Sequence, residues 1–294
     1  MDFLRRAKIL RLVLAALACV ASFANAPAAG GDVATDAPVA AKPLPFEPEE
    51  ELFFQGDFSK LMLRGIEIAE FHFSSGRVPA TNAVDNLRLP ATNIIFKGDV
   101  RAKGWFRKLF GIDFHYSHES LVDPNGFLIL RTTKLDEQGK RVRASVAEFD
   151  RKADRVTWTQ RNPKDTSADP RVVTNTIRDA AHDIVSAIYY LRAQPLATGQ
   201  NFELVVSDDG QTYRVPVRVF ERKVLKTVAG RVPTLRLEVD LFGEGHLVDD
   251  RDGKMTLWLT DDARRLPVRA RLDADVGTLD IKLKKFTGGI SRQK

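Results

Sequence analysis

Across most of its length the chain alternates apolar and polar residues at period two, the pattern of strands with one buried and one wet face. Tyr213, Val215, Val217 and Val219 fall on one face, with Arg214, Arg218 and Arg222 on the other. Leu235, Leu237, Val239 and Leu241 repeat it, with Arg236, Glu238 and Asp240 facing away. Met255, Leu257 and Leu259 follow, then Leu266, Val268, Ala270 and Leu272, then Leu279, Ile281 and Leu283. Between them lie turn signals: Asp208-Asp209-Gly210, Ala229-Gly230, Asp252-Gly253 and Asp261-Asp262. Short connections between alternating segments predict antiparallel neighbours. The first half is less regular. Ile66 and Ile68, Phe71 and Phe73, and residues 94–96, 112–116, 127–130, 142–149 and 156–158 read as further strands.

One stretch breaks the period. Over residues 176–193, Ile177, Ala180, Ala181, Ile184, Val185, Ile188 and Leu191 recur at spacings of three and four, which lays them along one side of a helix. Thr174 or Asn175 is placed to cap its start, and Pro195 and Gly199 follow its end. A second, short helix is read around residues 105–109. The expected fold class is mainly β: a curved antiparallel sheet, a half-barrel or two-layer sandwich, with one covering α-helix.

The ends address the chain. Arg5, Arg6, Lys8 and Arg11 precede a short apolar run over residues 12–21, and small residues follow around Ala24-Asn25-Ala26-Pro27-Ala28. That order is a secretory signal peptide, and the run is too short to span a bilayer. The expected organisation is a signal peptide over residues 1–28, a flexible linker over 29–45, a single β-rich domain over 46–288 and a flexible tail over 289–294. The expected location is periplasmic or secreted, with no integral membrane span once the signal is removed. Cys19 ends a poor lipoprotein box, because Arg11 intrudes on it, so anchoring there is not expected. Cys19 is the chain's single cysteine, so the exported part has none left for a disulfide. The formal charge of +6 drops to +3 without residues 1–28, which gives no argument for nucleic acid.

Several motifs resemble the family of exported bacterial proteins catalogued as domain of unknown function 3108. They are Asp183-Ile184-Val185-Ser186-Ala187-Ile188-Tyr189-Tyr190-Leu191-Arg192, Pro195-Leu196, Gly199, Tyr213-Arg214-Val215, Ala229-Gly230, and Leu257 through Asp262, Ala263, Arg264, Arg265, Leu266, Pro267 and Val268. Leu44-Pro45-Phe46 opens the domain in the same manner. The resemblance implies export and a β-rich single domain, with no assigned reaction. The layout is also similar to that of periplasmic lipoprotein-carrier (Lol) proteins, which is a likeness of architecture alone.

No catalytic constellation emerges. His115 and His118 stand three apart on a strand and so face opposite ways, and no metal site or cofactor is expected. Ser186 lies near Asp183 and His182, but helix spacing turns His182 elsewhere. Asp183 and Ser186 are better read as tying the helix to its surroundings, with Tyr190 and Arg192 in the same structural motif. Asp262 and Arg264 are expected to fix a turn, and Pro267 to open a strand. Trp105-Phe106-Arg107-Lys108 suits a membrane-facing patch, a lid, or a loop whose aromatics enter the core. The leading expectation is a non-catalytic periplasmic or envelope protein that binds a lipid or other apolar ligand between sheet and helix. Its lining would come from Ile184, Ile188, Leu191, Trp105, Phe106 and Trp258. The alternative is a structural or partner-binding envelope protein that uses an arginine-rich sheet face (Arg214, Arg218, Arg236, Arg269, Arg271). An enzyme ranks third.

Overall fold

The structure, a computed structural model, describes residues 44–46, 49–78, 93–104, 107–108, 111–165, 167–177, 179–243, 246–248 and 253–288. The segments expected as signal peptide and tail, nearly all of the expected linker, Trp105 and Phe106 lie outside the described residues.

Fourteen strands form one sheet. In chain order they are β1 (Glu51–Lys60), β2 (Leu63–Arg77), β3 (Ile94–Ala102), β4 (Phe114–Asp123), β5 (Leu128–Gln138), β6 (Arg141–Asp150), β7 (Arg155–Arg161) and β8 (Arg171–Thr176). After the helix α1 (Ile184–Ala193) come β9 (Asn201–Asp208), β10 (Gln211–Thr227), β11 (Gly230–Val239), β12 (Lys254–Thr260), β13 (Pro267–Ala274) and β14 (Gly277–Thr287). Strands β1 to β8 run as one antiparallel meander and β9 to β14 as another. The first and last strands join them, with Phe58 opposite Leu279 and Leu52 opposite Phe286. The edges are therefore β8 and β9, which are neighbours in sequence but share no ladder.

The alternation read from the sequence is the alternation of burial. In β1, Leu52, Phe54, Gly56 and Phe58 are buried and the residues between them are half-exposed. In β10, Val215, Val217 and Val219 are buried, while Arg214, Pro216 and Arg218 are exposed. These inward faces join one core. It runs from Leu52, Phe71 and Phe96 in the first meander to Val217, Leu237 and Leu259 in the second. A sheet of fourteen strands brings both its halves into one core only by curving strongly, and here it curves into an open barrel.

Helix α1 lies inside that curve. Its residues approach β3 and β4 on one side and β9 on the other. Val185, Ser186, Ala187, Tyr189, Leu191 and Arg192 are all buried, so the helix is enclosed on most of its circumference. It is a filling more than a lid over one face. It also starts later than the periodicity predicts. Residues 171–176 form β8, and Ile177 and residues 179–182 are non-helical. The run Val172-Val173-Thr174-Asn175-Thr176-Ile177 is rich in β-branched side chains, which favour a strand. The helix begins where a capping box forms. The Asp183 carboxylate accepts from Ser186 N–H at 2.8 Å, and Ser186 Oγ accepts from Asp183 N–H at 2.9 Å. Ile177 and Ala181 belong instead to a second, smaller core with Ile129, Phe149, Val156 and Trp158.

Two glycines make room inside. A Cβ on Gly56 would stand 2.8 Å from the Phe71 ring, and one on Gly98 would stand 3.1 Å from Val185 Cγ2 and 3.3 Å from Phe73. Gly98 thus sets how closely α1 approaches β3. Replacement Gly98→Val is expected to destabilise the fold by ~1–3 kcal/mol through overpacking. Adding Val185→Ala should recover part of that loss, read as a double-mutant cycle in urea unfolding.

Candidate functional site: the helix-filled interior

Charged side chains hold α1 at both ends. At its C-terminal end Arg192, wholly buried, makes a bidentate pair with Glu50, Nη1 to Oε1 at 2.5 Å and Nη2 to Oε2 at 2.8 Å. The same guanidinium donates to the Arg264 carbonyl at 3.3 Å and lies 5.2 Å from the Phe46 ring and 5.3 Å from the Tyr189 ring. At the N-terminal end Asp183 Oδ2 stands 3.3 Å from His118 Nε2, both buried. Burial pushes the Asp183 carboxyl up, but His118, Ser120 and the Ser186 amide together hold it down at about 2.

The polar groups near Asp183 come from one strand face. Phe114, Tyr116, His118 and Ser120 alternate inward along β4. Tyr116 Oη lies 3.3 Å from His118 Nδ1. Beyond them Lys134 of β5 reaches Asp208 at the end of β9 and, at 3.2 Å, Asp209. Burial pushes Asp208 up to about 6 despite Lys134, and Asp209 adds to the rise. Desolvation disfavours the Lys134 ammonium, but the two aspartates hold it protonated. This pair spans from β5 to β9, across the side where the barrel lacks a ladder.

The same open side is bridged in two further ways. His182 N–H donates to the Val205 carbonyl at 2.9 Å and Ser207 N–H to the His182 carbonyl at 2.7 Å, so the residues before α1 cover part of the β9 edge. Asn175 of β8 donates to the Gly210 carbonyl at 2.6 Å. The His182 ring stacks on Tyr190 at 4.0 Å between centroids and meets Phe127 edge-on at 6.0 Å. Burial pushes the His182 imidazole down to about 4, against the pull of Asp183.

Between α1 and β1, β2, β12, β13 and β14 lies a slender apolar crevice of about 50 Å³. Leu52, Phe54, Phe71, Phe73, Ile188, Tyr189, Met255, Leu257, Pro267, Ala270, Leu272 and Ile281 line it, with Arg269 as its one charged residue. The Tyr189 hydroxyl, fully buried, has no hydrogen-bond partner. Among the described residues a larger hollow of about 750 Å³ lies on the outer face of β5 to β7, beside Asn162, Pro163, Asp165, Ala168 and Pro170, and is lined by Arg131, Thr133, Glu148, Thr159 and Arg161. It is an open groove of mixed polarity outside the core.

The residues expected from sequence are only partly gathered. Ile188 and Pro267 line the crevice; Ile184 packs at the edge of the core and Leu191 within it. Trp258 is buried but stands opposite Arg269 on the other side of β12 from Leu257, with the Arg269 guanidinium 5.0 Å from its ring, and it is not among the lining residues. Asp183 and Ser186 form the cap, and His182 points away from Ser186. Asp262 Oδ1 accepts from Thr260 Oγ1 and from the amides of Arg264 and Arg265, closing the β12–β13 turn. The Arg264 guanidinium lies over Phe286 at 4.9 Å. The arginine-rich face is largely neutralised in place: Arg214 meets Glu203 and Asp179, Arg236 meets Glu221 and Glu238, Arg269 meets Asp280 and Arg271 meets Asp273. Among the described residues no cluster of His, Cys, Asp and Glu is arranged to hold a metal ion. Sequence reading missed Glu50 and Lys134, and it gave His118 a face without a partner. The signal for His118 was its phase with Phe114 and Tyr116, which places it inward.

Two outcomes follow. Removing one partner of a buried ion pair strands the other, so Arg192→Met is expected to cost ~3–5 kcal/mol in urea unfolding, and adding Glu50→Leu should recover most of it. For His182 the sign is set by its lowered value. The unfolded chain takes up a proton near pH 6.5 and the folded one only near 4, so stability falls as pH drops through that window, by about 3 kcal/mol at most. Asp208 acts in the opposite sense, since its raised value binds a proton in the folded state first. The difference between wild type and His182→Phe, measured from pH 7 to 4, isolates the histidine: the variant should lose less stability on acidification.

No curated protein matches the chain. A β-barrel-like protein of the domain of unknown function DUF1849 from Brucella abortus superposes with a TM-score of 0.50 at 7% identity, covering 83% of this chain and 99% of that one. A lipoprotein candidate from Parabacteroides distasonis aligns over 83% of this chain and 98% of its own, at 9% identity and a TM-score of 0.30. The first likeness concerns fold alone. Residues 70–284 match the family profile described as protein of unknown function (DUF3108), and the chain belongs to that family.

Proposed function

We propose that this is a non-catalytic exported protein of the cell envelope that takes up an apolar chain between its curved sheet and α1. The observation that carries the reading is the crevice against Ile188: a lining mostly of aliphatic and aromatic side chains, with Arg269 and Tyr189, whose buried hydroxyl has no partner, as the residues that bring polar groups. A slot lined mainly by hydrocarbon with few polar groups suits an acyl chain or similar ligand. At about 50 Å³ the crevice is below the ~300–1,000 Å³ typical of ligand sites. Uptake therefore requires α1 to shift outward from β1 and β2. The missing β8–β9 ladder supports that movement, because the barrel can widen there without breaking strand pairing.

The buried polar groups support a positioning role more than a catalytic one. Tyr116, His118, Asp183 and Asp208 are each less than 5% exposed, and substrate has no open path to them in this form. The signal-like N-terminus supports export.

Native mass spectrometry on protein purified from the exporting cell, followed by solvent extraction, tests the reading. A discrete extractable lipid, or uptake of added fatty acid, is expected, and Ile188→Trp should abolish it by filling the slot. An apo mass that stays unchanged after incubation with lipids would overturn the reading in favour of a structural or partner-binding role.

A further inference from the structure

The β1–β2 hairpin ends in an apolar tip that nothing covers. Leu61 is 87% exposed, Met62 97% and Leu63 44%. Single exposed apolar residues are ordinary on a surface, but three in succession at a turn are not. The turn itself adds a second observation. Lys60 pairs with Leu63, which leaves a two-residue loop, and Leu61 sits at φ 49°. Left-handed positions in such loops favour Asn, Asp or Gly. A leucine there is strained and gains no packing within the protein.

The tip is also presented outward on a firm support. Strand β2 pairs with β3 only from Ala69 onward, and β1 pairs with β14 as far as Ser59. Residues 60–65 therefore project beyond the core as a paired arm, with Gly65 N–H bonded to Ser59 Oγ at 2.9 Å. The residues that flank the tip within the arm are basic. Lys60 and Arg64 flank it, and Lys60 Nζ donates to a backbone carbonyl, that of Asp275. Of the acids nearby, Glu67 and Glu70 are taken by Lys103 and Asp57 by Lys282, while Asp275, exposed on the neighbouring turn, stands beside Lys60.

We propose that this tip docks the protein onto a bilayer bearing anionic headgroups. Leu61, Met62 and Leu63 enter the interface between headgroups and acyl chains, while Lys60 and Arg64 meet the phosphates. Apolar insertion and basic flanks are the two contributions that together hold a peripheral protein to a membrane. The proposal does not depend on the crevice beneath α1. The two are separable, because the tip lies beyond the core.

The test is co-flotation of the exported full-length product with vesicles, either of phosphatidylcholine alone or of an equimolar mixture with phosphatidylglycerol. Wild type is expected to float with the mixed vesicles and far less with phosphatidylcholine. The pair Leu61→Asn and Met62→Gly removes the apolar tip and supplies residues the turn prefers. It should weaken binding roughly ten-fold or more while keeping the thermal midpoint at or above wild type. Val228→Asn, at another exposed hairpin tip, should leave binding unchanged. No flotation of wild type, or equal flotation of the paired variant, would overturn the proposal. Concentration-dependent dimers lost in the paired variant, without vesicle binding, would overturn it too and assign the tip to a second copy of the chain.

Discussion

Two buried charges fix α1 within the sheet, and much of the interior takes its shape from them. Arg192 at one end of the helix is neutralised by Glu50, just before β1. Asp183 at the other faces His118 of β4. An ion taken out of water is stabilised only by a partner with good geometry. The bidentate pair with Glu50 therefore specifies one position for the C-terminal end, and the approach of Asp183 to His118, at 3.3 Å, places the N-terminal end beside β4. With both ends set, Val185 meets Gly98, Tyr189 stacks on Phe96 at 4.1 Å and meets Phe46 edge-on at 5.1 Å.

The open side of the barrel follows the same logic. Strand β8 leads into β9 without pairing to it, because the intervening residues turn inward to make α1. The unsatisfied edge of β9 is covered in part by His182, and Lys134 ties β5 to Asp208 and Asp209. A side held by side chains and one short bridge is weaker than a ladder. That difference is what gives an otherwise filled interior a way to open.

The sheet was legible because its signal is local. Where Val215, Val217 and Val219 alternate with Arg214 and Arg218, one face must be buried and the other wet. The pairing of β1 with β14 was not legible, since no pattern in either strand names its distant partner. The helix was half-legible. Its apolar spacing extends back to Ile177, and only the reciprocal Asp183–Ser186 bonds, competing with the β-branched run of β8, decide where it starts. Glu50 and Lys134 escaped notice, and His118 was given no partner, because charged residues are usually exposed, and their burial depends on partners that lie 142, 74 and 65 residues away along the chain. Ile188 lines the crevice beside α1. Trp258 does not, because its strand phase places it opposite Leu257.

The central claim is that α1 is an anchored but separable filling of an unclosed barrel. Native-state hydrogen exchange tests it most directly. Amides of α1 and of residues 179–183 are expected to be protected, yet to open together at a lower free energy than those of β1 and β14. Exchange of α1 only in step with β1 and β14, at every denaturant concentration, would contradict the claim and leave the interior a fixed core with no route for a ligand.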